Sequence, residues 1–104
     1  MQPYDIKYLP LFEEDLAEIV DYIVVSLKNP DAARALLDTI EQALLERASC
    51  PLSFEPFDSA KKRPMVYYRI YVKNFTIFYV VFEKDRIMEV RRILYSKRNV
   101  LNIV

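Results

Sequence analysis

Residues 65–82, MVYYRIYVKNFTIFYVVF, constrain the fold more than any other part of the chain. β-branched and aromatic residues fill the stretch, and Lys73-Asn74 is its one obvious break. The pattern predicts two antiparallel strands joined by a tight turn. In the first, Val66, Tyr68, Ile70 and Val72 share one face, and Tyr67, Arg69 and Tyr71 share the other. The second is apolar at almost every position, which predicts a central strand covered on both sides.

Two absences limit the chemistry. The chain has no histidine, so mechanisms built on an imidazole base or ligand are excluded, the Ser-His-Asp triad and the usual zinc sites among them. No metal and no cofactor is expected. It also has no glycine, which excludes the glycine loops that cradle phosphates. Turns must then use Asn, Asp and Pro, and Asn74 and Asp85 are the positions expected to turn left-handed. Cys50 is alone, cannot form an internal disulfide and has no imidazole to activate it; it reads as a small packing residue in a reducing, cytoplasmic protein. At 104 residues, a single domain over 1–104 is expected, with no basic-then-apolar leader and no apolar run long enough for a membrane.

Taken in order, residues 4–9 alternate as a short strand that Pro10 ends. Over 11–27, Phe12, Leu16, Ile19, Val20, Ile23 and Leu27 recur at helical spacing, while Glu13, Glu14, Asp15 and Glu18 read as a solvated helix start. Asn29-Pro30-Asp31 opens a second helix, with Asn29 as cap and a buried stripe of Ala33, Leu36, Leu37, Ile40, Ala43 and Leu44. So short a connection makes the two helices an antiparallel hairpin. Pro51, Pro56 and Pro64 keep the next stretch irregular, with Phe54 and Phe57 available to pin it to the core. Residues 86–95 form a last strand, with Met88, Val90, Arg92 and Leu94 expected on one face. The order β-α-α-β-β-β defines an α+β fold: an N-terminal helix hairpin packed on one face of a mainly antiparallel four-stranded sheet. The other sheet face has no cover of its own in this reading, so aromatic and basic residues there, drawn from Tyr67, Arg69, Tyr71, Arg91 and Tyr95, call for a partner.

Formal charge is balanced but unevenly placed. Residues 1–60 carry four bases against twelve acids, and residues 61–104 carry eleven bases against three acids. The basic half would attract a polyanion or an acidic partner, or the two halves would simply dock on one another.

The spacing Asp15-Leu16, Ile19, Tyr22-Ile23, Asn29-Pro30, Ala32-Ala33, Leu36-Leu37 and Ile40 resembles the helix hairpin of the RelE/ParE toxin superfamily. The second half is similar too, through Tyr68-Arg69, Val72-Lys73-Asn74-Phe75, Phe78-Tyr79, Arg92-Ile93-Leu94-Tyr95 and Lys97-Arg98-Asn99. The resemblance implies the toxin of a bacterial type II toxin–antitoxin module, masked by a cognate antitoxin, with no membrane partner. The RelE branch cleaves mRNA in the ribosomal A site; the ParE branch inhibits DNA gyrase. Cleavage without metal or histidine needs a base for the 2′-hydroxyl, cations for the pentavalent phosphate and an acid for the leaving oxygen. On that reading Arg69, Tyr95 and Arg98 are the catalytic candidates, while Tyr71, Lys97, Lys61, Lys62 and Arg63 bind the target. The sequence departs from the ribonuclease branch at Tyr71, where that branch has a second strand base, and at Thr76, where it has an arginine; no tyrosine follows Tyr95. A ribosome-dependent endoribonuclease is the first expectation, a non-enzymatic gyrase inhibitor its alternative, and an inactivated toxin kept as a partner-binding subunit the third.

Overall fold

The computed structural model describes residues 2–57 and 65–97. Strands β1 (Asp5–Tyr8), β2 (Tyr68–Val72), β3 (Phe75–Phe82) and β4 (Ile87–Tyr95) form one sheet in the order β1-β4-β3-β2. β1 runs parallel to β4, and the other neighbours are antiparallel. Helices α1 (Pro10–Asp21) and α2 (Pro30–Ala48) lie between β1 and β2 in sequence and pack on one face of the sheet. The α+β architecture expected from the sequence is therefore present. β3 is an inner strand and Ile77, Phe78, Tyr79 and Val80 are fully buried, which accounts for its lack of polar alternation.

Pro30 starts α2 in the first turn, and the Asn29 side chain accepts from the Ala32 backbone N–H at 3.1 Å, as its cap position demands. Asn29→Ala orphans that N–H and should cost about 1 kcal/mol, read as a shift in the urea midpoint at unchanged m-value. Ala33, Leu36, Ile40 and Leu44 are buried as the stripe requires, whereas Leu37 is exposed.

Further features differ from the sequence reading. The helix expected to run unbroken to residue 27 widens into a π-turn over Tyr22–Ser26, closed by Leu27 N–H donating to the Tyr22 carbonyl at 3.1 Å. Consecutive Ile23, Val24 and Val25 crowd an α-turn, and the wider turn rotates Leu27 out of the stripe into solvent. The left-handed residues are Lys28, Lys73 and Arg86, with φ of 52°, 55° and 51°, and not Asn74 or Asp85. Turn geometry selects the position, and without glycine a long side chain must accept it; Arg86 recovers part of the cost by lying 4.3 Å over the Tyr4 ring and donating to the Gln2 carbonyl. Cys50 is exposed, not a packing residue.

Another difference is in β4. Phe78 pairs with Arg92 but Tyr79 pairs with Val90, so Arg91 is an extra, bulged residue. The bulge breaks the two-residue period, so that Met88, Val90 and Ile93 pack with the helices while Leu94 joins the opposite side. That opposite side is not bare. Phe57 and Tyr67 form a bridge, with Phe57 N–H donating to the Tyr67 carbonyl at 2.7 Å, and they pack with Phe78 and Leu94 into a second, smaller core.

Candidate functional site

The proline-rich loop reaches the second face because α2 and β3 hold its start. Arg47, in the last turn of α2, donates to the Tyr79 hydroxyl and to the Arg69 carbonyl, both at 3.0 Å, and its guanidinium lies 3.4 Å from the Phe54 ring centroid. The Tyr79 hydroxyl in turn donates to the Pro51 carbonyl at 2.7 Å. Burial raises the Tyr79 pKa, only partly offset by Arg47, so the phenol stays a donor. One partly buried cation thus ties α2, β2, β3 and the loop together. The sequence signal was available: Arg47 lies three residues beyond Leu44, on the inner side of α2.

Arg69 lies on the second face, opposite Phe78 in register, with its guanidinium 5.2 Å from the Phe57 ring and 5.7 Å from the Tyr71 ring. No carboxylate pairs with it among the described residues. Tyr71, 67% exposed on the edge strand β2, completes an open cation–aromatic surface. Tyr95 is elsewhere. It meets Phe75 edge-to-face at 5.7 Å on the helix side and lines a cavity of about 640 Å³ with Ile19, Tyr22, Ile23 and Leu27. Arg69 and Tyr95 therefore occupy opposite faces of the sheet. Lys97 is exposed in the turn after β4. Arg98, Lys61, Lys62 and Arg63 lie outside the described residues.

Other candidates have structural partners. Arg91 donates to Glu89 at 3.0 Å and to the Tyr67 hydroxyl at 3.3 Å, with Lys7 completing the pairing of the buried Glu89 at 3.7 Å. Arg92 donates to both carboxylate oxygens of Asp15, at 2.7 and 3.0 Å, and Asp15 also accepts from the Ile93 backbone N–H at 3.2 Å. That carboxylate holds the Arg92 pKa above its usual value. Asp15 is thus no solvated helix-start acid; it shares the inner stripe with Phe12, Leu16 and Ile19, a spacing legible in the sequence. Thr76 is buried, its hydroxyl 2.8 Å from that of Ser96. Among the described residues no three His, Cys, Asp or Glu side chains cluster as a metal ion would require, and no helix is long and apolar enough to cross a membrane.

Solved structures similar to this chain come from toxin–antitoxin systems. A chain of the chromosomal ParDE system from Pseudomonas aeruginosa is similar with a TM-score of 0.70 at 17% identity, covering 90% of this chain and 97% of that one. The RelBE2 toxin–antitoxin complex from Mycobacterium tuberculosis contains a chain similar at TM-score 0.57 and 14% identity, over 91% and 93% of the two chains. The archaeal RelE–RelB complex from Pyrococcus horikoshii gives 0.55 and 16%, over 93% and 99%. At these identities the likeness is one of fold, that of the RelE/ParE superfamily. The family model describing the ParE toxin of the type II toxin–antitoxin system parDE matches residues 6–100, and the chain belongs to that family. Among curated proteins no sequence matches it.

Proposed function

We propose that this toxin arrests growth by binding DNA gyrase, without catalysing a reaction of its own, and that a cognate antitoxin holds it inactive. The observation that carries the reading is the separation of Arg69 from Tyr95 by the thickness of the sheet. Cleavage of RNA requires base, acid and phosphate-binding cations around one phosphate, within hydrogen-bond reach of it. Two other strand arginines are neutralised by Glu89 and Asp15, and Thr76 offers no charge. Membership of the ParE family supports gyrase as the target, since inhibition of gyrase is the activity the resemblance to that branch implies. The similar RelBE2 and RelE–RelB structures are complexes with an antitoxin, which supports such a partner here.

A second reading keeps Arg69, which has no carboxylate partner among the described residues, with Tyr95 and Arg98, as the working groups of a ribosome-dependent endoribonuclease. Both readings meet in one experiment. Purified toxin added to gyrase in a supercoiling assay, and in parallel to a cell-free translation system, should abolish supercoiling while mRNA remains uncut. Normal supercoiling at toxin excess, with messages cut in the ribosomal A site, would replace the first reading by the second.

A further inference from the structure

The cavity of about 640 Å³ beside Tyr95 lies at the corner where the π-turn after α1 meets the start of β3 and the end of β4. The corner is held by the Ser96 N–H, which donates to the Asn74 carbonyl at 2.8 Å, and by the pairing of Phe75 with Tyr95 in register. Ile19 and Ile23, half-buried against the main core, and the exposed Leu27 supply an apolar wall. Its size is that of a small-molecule pocket, within about 300–1,000 Å³. A single helix turn with its side chains fills about 500 Å³, so the space suits a small molecule better than a segment of protein. Isolated π-turns recur at functional sites, and this one places Tyr22 and Leu27 on the cavity.

Three aromatic rings and one carboxylate line this space: Tyr22 from the π-turn, Phe75 from β3, Tyr95 from β4, and Glu18 from α1. Phe75 and Tyr95 meet edge-to-face, but Tyr22 touches neither ring, so a gap separates it from the pair. Elsewhere the chain sets its own arginines over aromatic rings: Arg86 over Tyr4, Arg47 over Phe54 and Tyr79, Arg69 over Phe57 and Tyr71, and Arg91 over Tyr67. The three rings here carry no cation among the described residues. Glu18, one turn before Tyr22, is exposed and has neither a hydrogen bond nor an ion pair among the described residues. The guanidinium of Arg92 is held by Asp15, and Glu18 reaches it only as a more distant charge.

We infer that this cavity binds a small quaternary ammonium ion with a short apolar body, its methyl groups between Tyr22 and the Phe75–Tyr95 pair and its charge balanced by Glu18. Electron-rich ring faces and a carboxylate without a partner both attract a cation, and the described chain supplies none. A primary ammonium or a guanidinium would bring several N–H donors. The wall offers one carboxylate and is otherwise mostly carbon, so some of those donors would stay unpaired at a cost. A quaternary ammonium has no N–H to satisfy, and aromatic cages recognise it through its methyl groups. An anion is repelled by Glu18 and by a hairpin that carries nine carboxylates against three bases over residues 10–48. The inference concerns a small ligand and rests on neither reading of the toxin's target.

The test adds benzyltrimethylammonium chloride to the intact toxin at constant ionic strength and follows binding by calorimetry and backbone amide shifts. Binding should saturate below about 10 mM probe, with shifts confined to residues 18–27, Asn74, Phe75 and Tyr95. Choline should bind at least about fivefold tighter than 3,3-dimethylbutan-1-ol, which has the same shape and no charge. Glu18→Gln and Tyr22→Leu should each weaken the probe about fivefold, while Tyr22→Phe, which keeps the ring face, should stay within about twofold. Both positions are exposed, and circular dichroism melts establish that each variant folds as the parent does. Equal binding of choline and its uncharged counterpart would overturn the inference, because the cavity would then be an apolar hollow with no preference for charge. Shifts spread over Glu13, Glu41 and the other acids of the hairpin would overturn it as well, since the probe would then be a diffuse counterion. So would the absence of saturable shifts at about 10 mM probe.

Discussion

Phe78→Ala should destabilise the protein by about 4 kcal/mol, the range for removing a fully buried phenylalanine. Phe78 is 0% exposed and faces away from the helices, where its ring meets Phe57 edge-to-face at 5.0 Å and packs with Leu94 and Tyr67. Were this side of the sheet bare, the ring would already be wet in the native state and its loss would cost little. The loop from α2 changes that. By placing Phe57 under β3 it converts half of a two-layer fold into a three-layer one, so truncation leaves a cavity walled by aromatic side chains. Urea titration of Phe78→Ala against Tyr71→Ala gives the contrast. Tyr71 is exposed on the same side and should change stability by no more than about 0.5 kcal/mol. A Phe78→Ala cost below about 1 kcal/mol would mean that the second core contributes nothing. A cost near 4 kcal/mol would be a large share of a total stability of about 5–15 kcal/mol.

The covering of that face marks where the sequence stops being legible. The element order, the Asn29-Pro30 start and the helix hairpin follow from local rules, and they are present as expected. Phe57 was recognisable as a residue able to pin the loop. Which face it would cover depends on Arg47, Tyr79 and Pro51 meeting across 28 to 32 positions of sequence, which no local period encodes. The candidate site fared similarly. Arg69 and Tyr71 share a face because they are two apart in one strand, and the structure keeps them together. Tyr95 and Arg69 belong to different strands, and their relative side depends on register and on a bulge. One extra residue at Arg91 reverses every side-chain direction after it, and Tyr95 is carried to the helix side.

Asp15 supplies the other large effect, because it accepts from a backbone N–H of β4 as well as from Arg92. Asp15→Ala should cost about 3 kcal/mol, towards the lower end of the scale for removing one partner of a hydrogen-bonded ion pair held largely out of water. The Asp15 side chain is 11% exposed and that of Arg92 22%, so little water replaces the lost carboxylate. Two groups are orphaned at once: the Arg92 guanidinium and the Ile93 N–H. Their contributions separate by a second variant. Asp15→Leu combined with Arg92→Met removes both charges and keeps apolar volume, which for an ion pair alone is often neutral or stabilising. The Ile93 N–H would still lack an acceptor, so about 1–2 kcal/mol of the loss should persist in the double variant. Full recovery of the urea midpoint in the double variant would show that the carboxylate serves only Arg92. A residual loss would show that α1 is fastened to the backbone of β4 through the Ile93 N–H, and that the acid in the helix serves strand and side chain together.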